Sequence, residues 1–145
     1  MAKRMSACGK VIHGSCLCGA VALKITAPVV SMGHCHCRMC RKQHGTAFST
    51  YCEVPASSLR IVKGANSIQR YASSDFAERA FCSRCGTKLT FTIKNMPKRI
   101  WVAAGALDDD PGVKPDHHIF VGSKAPWYEI YDDVPQFEAY PEDFG

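Results

Sequence analysis

The 145-residue sequence has no apolar run long enough to cross a bilayer as a helix, so a membrane role is not expected. It has no repeat of regular period and no low-complexity tract, which excludes solenoid and collagen-like architectures. Helical periodicity is scarce as well: no segment longer than about ten residues carries it. Charge of one sign is not massed. The 18 Lys and Arg residues exceed the 13 Asp and Glu by enough for a net charge of +5, but they are scattered. The exception is a small knot at Arg38, Arg41 and Lys42. Nucleic acid is therefore not an expected partner, and an anionic small molecule suits the charge better. Residues 1–5 carry some positive charge without a following apolar core, so they do not read as a signal peptide, and a cytoplasmic, reducing compartment is expected. Length and composition suit one domain, with residues 1–10 a flexible N-terminal segment and 11–145 a single folded domain.

What is abundant is short alternating segments between turn residues. Val21, Leu23 and Ile25 alternate with Ala22, Lys24 and Thr26, the period-two pattern of a half-buried strand inside an extended stretch over 11–27. A second extended stretch carries His34-Cys35-His36-Cys37 and leads into a turn or helix over 38–44, closed by Gly45. Strands are expected at 47–54, 76–81, 88–94 and 99–104. A hairpin is expected where 59–63 and 67–71 flank Gly64-Ala65-Asn66. The last third alternates short extended pieces, at 118–121 and 127–131, with Pro and Gly. The sum is a mainly β chain.

Nine cysteines stand out, and seven of them fall in three tight groups: Cys16-x-Cys18-Gly19, Cys35-x-Cys37-x-x-Cys40 and Cys82-x-x-Cys85-Gly86. Disulfides between such close neighbours are awkward, and a reducing compartment would break them. Metal thiolates explain the clustering. In Cys82-x-x-Cys85-Gly86 the chain turns sharply with both sulfurs inward, whereas a redox dithiol needs a following helix and 88–94 alternates like a strand. Cys16 and Cys18 lie two apart on one face and supply two more sulfurs, so these four can close a tetrahedral zinc. Cys35, Cys37 and Cys40 remain as three ligands with one position open, the pattern of catalytic zinc. The alternative is that His34, His36, His44, Cys8 or Cys52 fills that position. His34 and His36 alternate with the cysteines and should face away from them, while Cys52 reads as a buried, inert thiol.

These residues resemble a known family. Gly14-Ser15-Cys16-Leu17-Cys18-Gly19-Ala20-Val21, His34-Cys35-His36-Cys37-Arg38-Met39-Cys40-Arg41-Lys42 and Phe81-Cys82-Ser83-Arg84-Cys85-Gly86 are similar to the motifs of the glutathione-dependent formaldehyde-activating enzyme and centromere protein V family. The tail from His118-Ile119-Phe120-Val121 to Lys124-Ala125-Pro126-Trp127 resembles its C-terminal signature, so the likeness runs from about Val11 to Phe137. The resemblance implies stacked antiparallel sheets of the Mss4-like, or β-tent, class. It implies two zincs per chain, with Cys16, Cys18, Cys82 and Cys85 structural and Cys35, Cys37 and Cys40 catalytic. It also implies condensation of formaldehyde with glutathione, a carbon–sulfur lyase reaction.

The expected function is therefore a zinc-dependent lyase-like enzyme acting on a glutathione or other thiol adduct of an aldehyde. The alternative is a non-catalytic, zinc-stabilised module that binds a thiol ligand or a protein. Arg38, Arg41 and Lys42 are the candidate contacts to glutathione carboxylates, with Lys124 a weaker one. Trp127 and Tyr128 read as core aromatics rather than pocket walls. His118 reads as a core histidine bonded to backbone, and Asp108-Asp109-Asp110 as a solvated turn.

Overall fold

A computed structural model describes residues 10–141. Two sheets share one core. In the smaller, β1 (Ile12–Ser15) pairs antiparallel with β2 (Ala22–Ile25), which pairs with β5 (Leu59–Lys63). The larger sheet holds β3 (Ser31–Cys35), β4 (Ser49–Pro55), β6 (Ile68–Ala72), β7 (Ala77–Cys82), β8 (Lys88–Ile93), β9 (Arg99–Ala103) and β10 (His117–Ile119). Its strand order is β10-β3-β4-β9-β8-β7-β6, antiparallel except where β10 runs parallel to β3. The one described α-helix, α1 (Arg38–His44), follows β3 and ends on Gly45, whose left-handed φ of 67° lets its N–H bond back to the Arg41 carbonyl. No described helix is long and apolar enough to cross a membrane.

Alternation explains the core. Val21, Leu23 and Ile25 point inward and are almost wholly buried, as expected from their spacing. They meet Val54, Leu89 and Val102 from the larger sheet in one apolar cluster. Each such side chain stabilises the fold by about 1.5–3 kcal/mol through burial. Cys52 has no exposed surface, and burial raises its thiol to about 11, the inert state expected of it.

The expected hairpin over 59–71 is overturned. β5 joins β2 in the small sheet, and β6 joins β7 in the large one. Both strands are largely exposed, and a ribbon made of those two alone would be marginal. Each instead completes its backbone bonds at the edge of a sheet that already has a core face. The connector between them crosses from sheet to sheet at Gly64, with φ 78° and no room for a side chain. A Cβ there would lie 1.9 Å from the Ala20 carbonyl oxygen and 2.8 Å from its carbon. Gly64→Ala is expected to cost about 2–3 kcal/mol, read as a lowered thermal midpoint; a loss under about 0.5 kcal/mol would contradict the close approach.

The C-terminal part differs from its sequence reading in a second respect. Residues 127–131 form no strand, and Trp127 is 68% exposed rather than part of the core. Tyr128 does pack, edge-on against Phe48.

Candidate metal centres and their cavity

The four-cysteine site forms where the turn after β1 meets the end of β7. Cys16, Cys18, Cys82 and Cys85 bring their sulfurs within 4.8 Å of one another. The Cys16–Cys18 and Cys18–Cys82 sulfur distances are 3.6 and 3.8 Å. A tetrahedron with zinc–sulfur bonds of about 2.3 Å has sulfur–sulfur edges of about 3.8 Å, so the spacing fits. Backbone N–H groups donate to the sulfurs: Val21 to Cys16 at 3.2 Å, Cys18 to Cys85 at 3.5 Å and Arg84 to Cys82 at 3.4 Å. The Thr87 hydroxyl lies 3.2 Å from Cys85 and pulls its thiol down to about 5. Such donors favour thiolate over thiol, the form a metal needs. Gly19 and Gly86, at φ 81° and 83°, turn the chain behind each pair. Because β1 and β7 belong to different sheets, a metal held by this cluster would staple the two layers together.

The second site gathers Cys35 at the end of β3, Cys37 as the N-cap of α1, and Cys40 one turn into that helix. Their sulfurs also lie within 4.8 Å of one another. The Cys40 N–H donates to Cys37 Sγ at 3.3 Å, so the capping bond of the helix and the turning of the sulfur inward are one feature. Three thiols this close cannot all lose their protons without a cation among them. Hydrogen bonds from Cys35 and Cys40 pull Cys37 down to about 2, and the same contacts push Cys35 far above the usual thiol range. A divalent ion resolves that conflict, so the donor set fits zinc.

No fourth His, Cys, Asp or Glu among the described residues joins this group. His34 and His36 face away from the sulfurs, as their alternation requires, and cluster with Phe48 and His118 instead. His44 lies 3.0 Å from the Tyr51 hydroxyl. Cys8 falls outside the described residues. In place of a ligand, the three cysteines border a cavity of about 540 Å³. Met39, Phe76, Phe91 and Trp101 give its walls apolar surface, while Glu53 and Arg99, on neighbouring strands of the lining, pair at 2.7 Å.

Arg79 is the group that the sequence reading missed. It projects from β7 into the cavity wall with only 4% of its surface exposed. Its Nη1 donates to Cys40 Sγ at 3.5 Å and to Gln43 at 3.4 Å, its Nε donates to Ser73 at 3.0 Å, and its guanidinium covers the Phe91 ring. Burial disfavours its charge, yet the negative charge at Cys40 holds its pKa above the usual arginine value. Beside it Tyr51 is kept protonated, first by burial and then by the charge at Cys40. The only sequence signal was a lone charge at the position of β7 that shares a face with Ala77 and Phe81.

The basic knot behaves differently. Arg38 and Lys42 are exposed on α1, and Arg41 donates to the Ser123 carbonyl at 3.0 Å; none of the three lines the cavity. Lys124 donates to the carbonyls of Ala125 and Tyr128. Asp108 and Asp109 are tied to β1, accepting bonds from Ser15 at 2.7 Å and from the His13 backbone at 2.8 Å. His118 is a core histidine, although its partners are side chains rather than backbone.

Fold and sites together define a class: a mainly β protein of stacked sheets, with one cluster of four cysteines and a second of three that opens on a cavity. Within that class, residues 11–123 match the model of the glutathione-dependent formaldehyde-activating enzyme family, and the chain belongs to it. Among its relatives is an uncharacterized lyase of Schizosaccharomyces pombe, 29% identical over 125 residues, spanning 86% of this chain and 89% of the relative. A Halomonas elongata protein named for the family's enzyme is 29% identical over 143 residues, covering 92% of this chain and 90% of its own length. The crystal structure of a Rhodobacter sphaeroides protein superposes with a TM-score of 0.59 at 24% identity, over 86% of this chain and 98% of that one, which shows the shared fold.

Proposed function

We propose that the chain is a zinc-dependent carbon–sulfur lyase-like enzyme that joins or separates an aldehyde and a small thiol such as glutathione. The observation that carries the reading is the unequal placement of the two cysteine groups. The four-cysteine cluster is closed by its own ligands, whereas the group of three borders the cavity. Zinc held by Cys35, Cys37 and Cys40 would supply a fourth coordination position in which a substrate thiol stays a thiolate near neutral pH.

The chain's own residues then have separate tasks. Arg79 offsets the negative charge gathered at the sulfurs, since three thiolates already outweigh a divalent cation and a substrate thiolate adds one more. In the joining direction the sulfur electron pair forms the carbon–sulfur bond, and the carbonyl oxygen takes up the displaced pair and a proton. The Tyr51 hydroxyl and the Arg79 guanidinium, both in the cavity wall, are the donors that would stabilise that oxygen. Holding both reactants together supplies much of the acceleration. Arg38, Arg41 and Lys42 remain candidates for a glutathione carboxylate outside the cavity mouth.

The test is metal content followed by thiol titration. Two zincs per chain are expected in the wild type and one in Cys40→Ser. With cobalt in place of zinc, glutathione should shift the absorption of the wild type and leave the variant unchanged. Turnover is then compared with the spontaneous reaction of aldehyde and thiol. A thiol response without any acceleration would leave a binding module in place of an enzyme, and no thiol response at all would remove the open site.

A further inference from the structure

We propose that Asp132, acting through His118 and His36, is a positioning residue for the three-cysteine site. The inference rests on the reading of that site as a metal centre, and it concerns a chain of side chains behind the sulfurs, away from the cavity.

His36 sits between two of the cysteines in sequence and is wholly buried. Its Nε2 lies 2.8 Å from Nδ1 of His118, which is 1% exposed. Nε2 of His118 lies 3.0 and 3.1 Å from the two oxygens of Asp132, a half-exposed carboxylate also bonded by the Val134 N–H at 3.2 Å. Three segments that are distant in sequence thus meet in one line ending at the metal loop.

The direction of each bond follows from the acceptor at its end. An ionised carboxylate only accepts, and the bond from His118 holds Asp132 below the usual carboxylate range. His118 must therefore carry its proton on Nε2. In a neutral His118 ring Nδ1 is then a lone pair, so His36 donates from Nε2 and its own Nδ1 is left bare; that atom is buried with no hydrogen-bond partner in the structure. One carboxylate thereby selects the tautomer of two imidazoles in series.

The ring of His36 is a handle on both neighbouring sulfurs. Cys35 and Cys37 flank it and point the opposite way, so a rotation of His36 would swing both. Its backbone is held as well, the His36 N–H donating to the Ile119 carbonyl at 3.0 Å. β10 is fixed in turn by the following chain: His118 N–H donates to the Pro135 carbonyl and Phe137 N–H to the His118 carbonyl, each at 2.9 Å. Two buried imidazoles are a costly way to fill space that apolar side chains would fill more stably. What they add is a single permitted orientation, which matters where ligands must be held ready for a metal.

The experiment uses the zinc-loaded full chain, nitrogen-15 labelled, with Asp132→Ala and Asp132→Asn. Long-range proton–nitrogen spectra should show His36 and His118 as Nε2–H tautomers in the wild type and a mixture in the alanine variant. Zinc release to a chelator should be biphasic. In Asp132→Ala the phase belonging to the three-cysteine site should speed up about ten-fold or more, with the four-cysteine phase unchanged. Asp132→Asn keeps an acceptor oxygen and should restore the tautomers and most of the slow release. Wild-type tautomers and release in Asp132→Ala would overturn the proposal, as would equal acceleration of both phases with a lowered thermal midpoint. A wild-type chain that holds one zinc would remove the second metal centre, and this inference with it.

Discussion

Cys82→Ser is expected to lower stability by about 4 kcal/mol or more, and the thermal midpoint by roughly 10 °C or more for a chain of this size. Cys82 has no exposed surface, and its sulfur lies 3.8 Å from that of Cys18, 64 residues away. The cluster it completes joins the small sheet to the large one, so losing the metal frees a long loop of chain and exposes the seam between the layers. Serine offers a hydroxyl that does not ionise near neutral pH, and the remaining sulfurs would be left as crowded, half-buried thiols. Stripping zinc from the wild type with a strong chelator should reproduce the loss, whereas Cys40→Ser should leave most of the stability in place. Thermal unfolding with zinc measured on the same samples decides the matter. An unchanged midpoint in a variant that has lost this zinc would show that the core alone holds the sheets together.

Arg79→Leu should have the largest effect on the second site. Leucine matches the aliphatic stem of arginine but leaves the Cys40 sulfur, Gln43 and Ser73 without their buried donor. Breaking one side of a buried charged contact costs about 3–5 kcal/mol, part of it taken from global stability and part from the site. The site's share should appear as glutathione affinity at least ten-fold weaker in the cobalt-substituted protein and as faster zinc release from Cys35, Cys37 and Cys40. Lysine should restore part of the charge and little of the geometry, because it lacks the planar fork that reaches three partners at once. Thiol affinity unchanged in Arg79→Leu would mean that the sulfurs need no counter-charge from the protein.

Much of the site was legible in the order of residues because seven of the cysteines fall in tight local groups. A C-x-C on extended chain and a C-x-x-C at a turn or helix start place sulfurs together whatever the rest of the chain does. The division into four and three followed from those spacings, and the sulfur distances agree with it. The orientation of His34 and His36 was legible for the same reason, since alternation along a strand is a local rule. Arg79 was not legible, because it lies 39 residues from Cys40 and reaches that sulfur only through the larger sheet. The basic knot at Arg38, Arg41 and Lys42 looked the better candidate because it is near the cysteines in sequence, yet none of the three lines the cavity.

The hairpin over 59–71 failed on similar grounds. Turn residues between two extended pieces give a local preference for pairing, but the two strands found partners with core faces on different sheets. The sequence by itself determined that this protein is mainly β, which sulfurs lie together, and which family it joins, because strand period and cysteine spacing are encoded within a few residues. Only the tertiary structure decided which side chains stand around those sulfurs: Arg79 before them, and the line from Asp132 through His118 to His36 behind. Those neighbours come from strands and loops far apart in the chain, and their meeting depends on sheet order and register, which no short stretch of residues specifies.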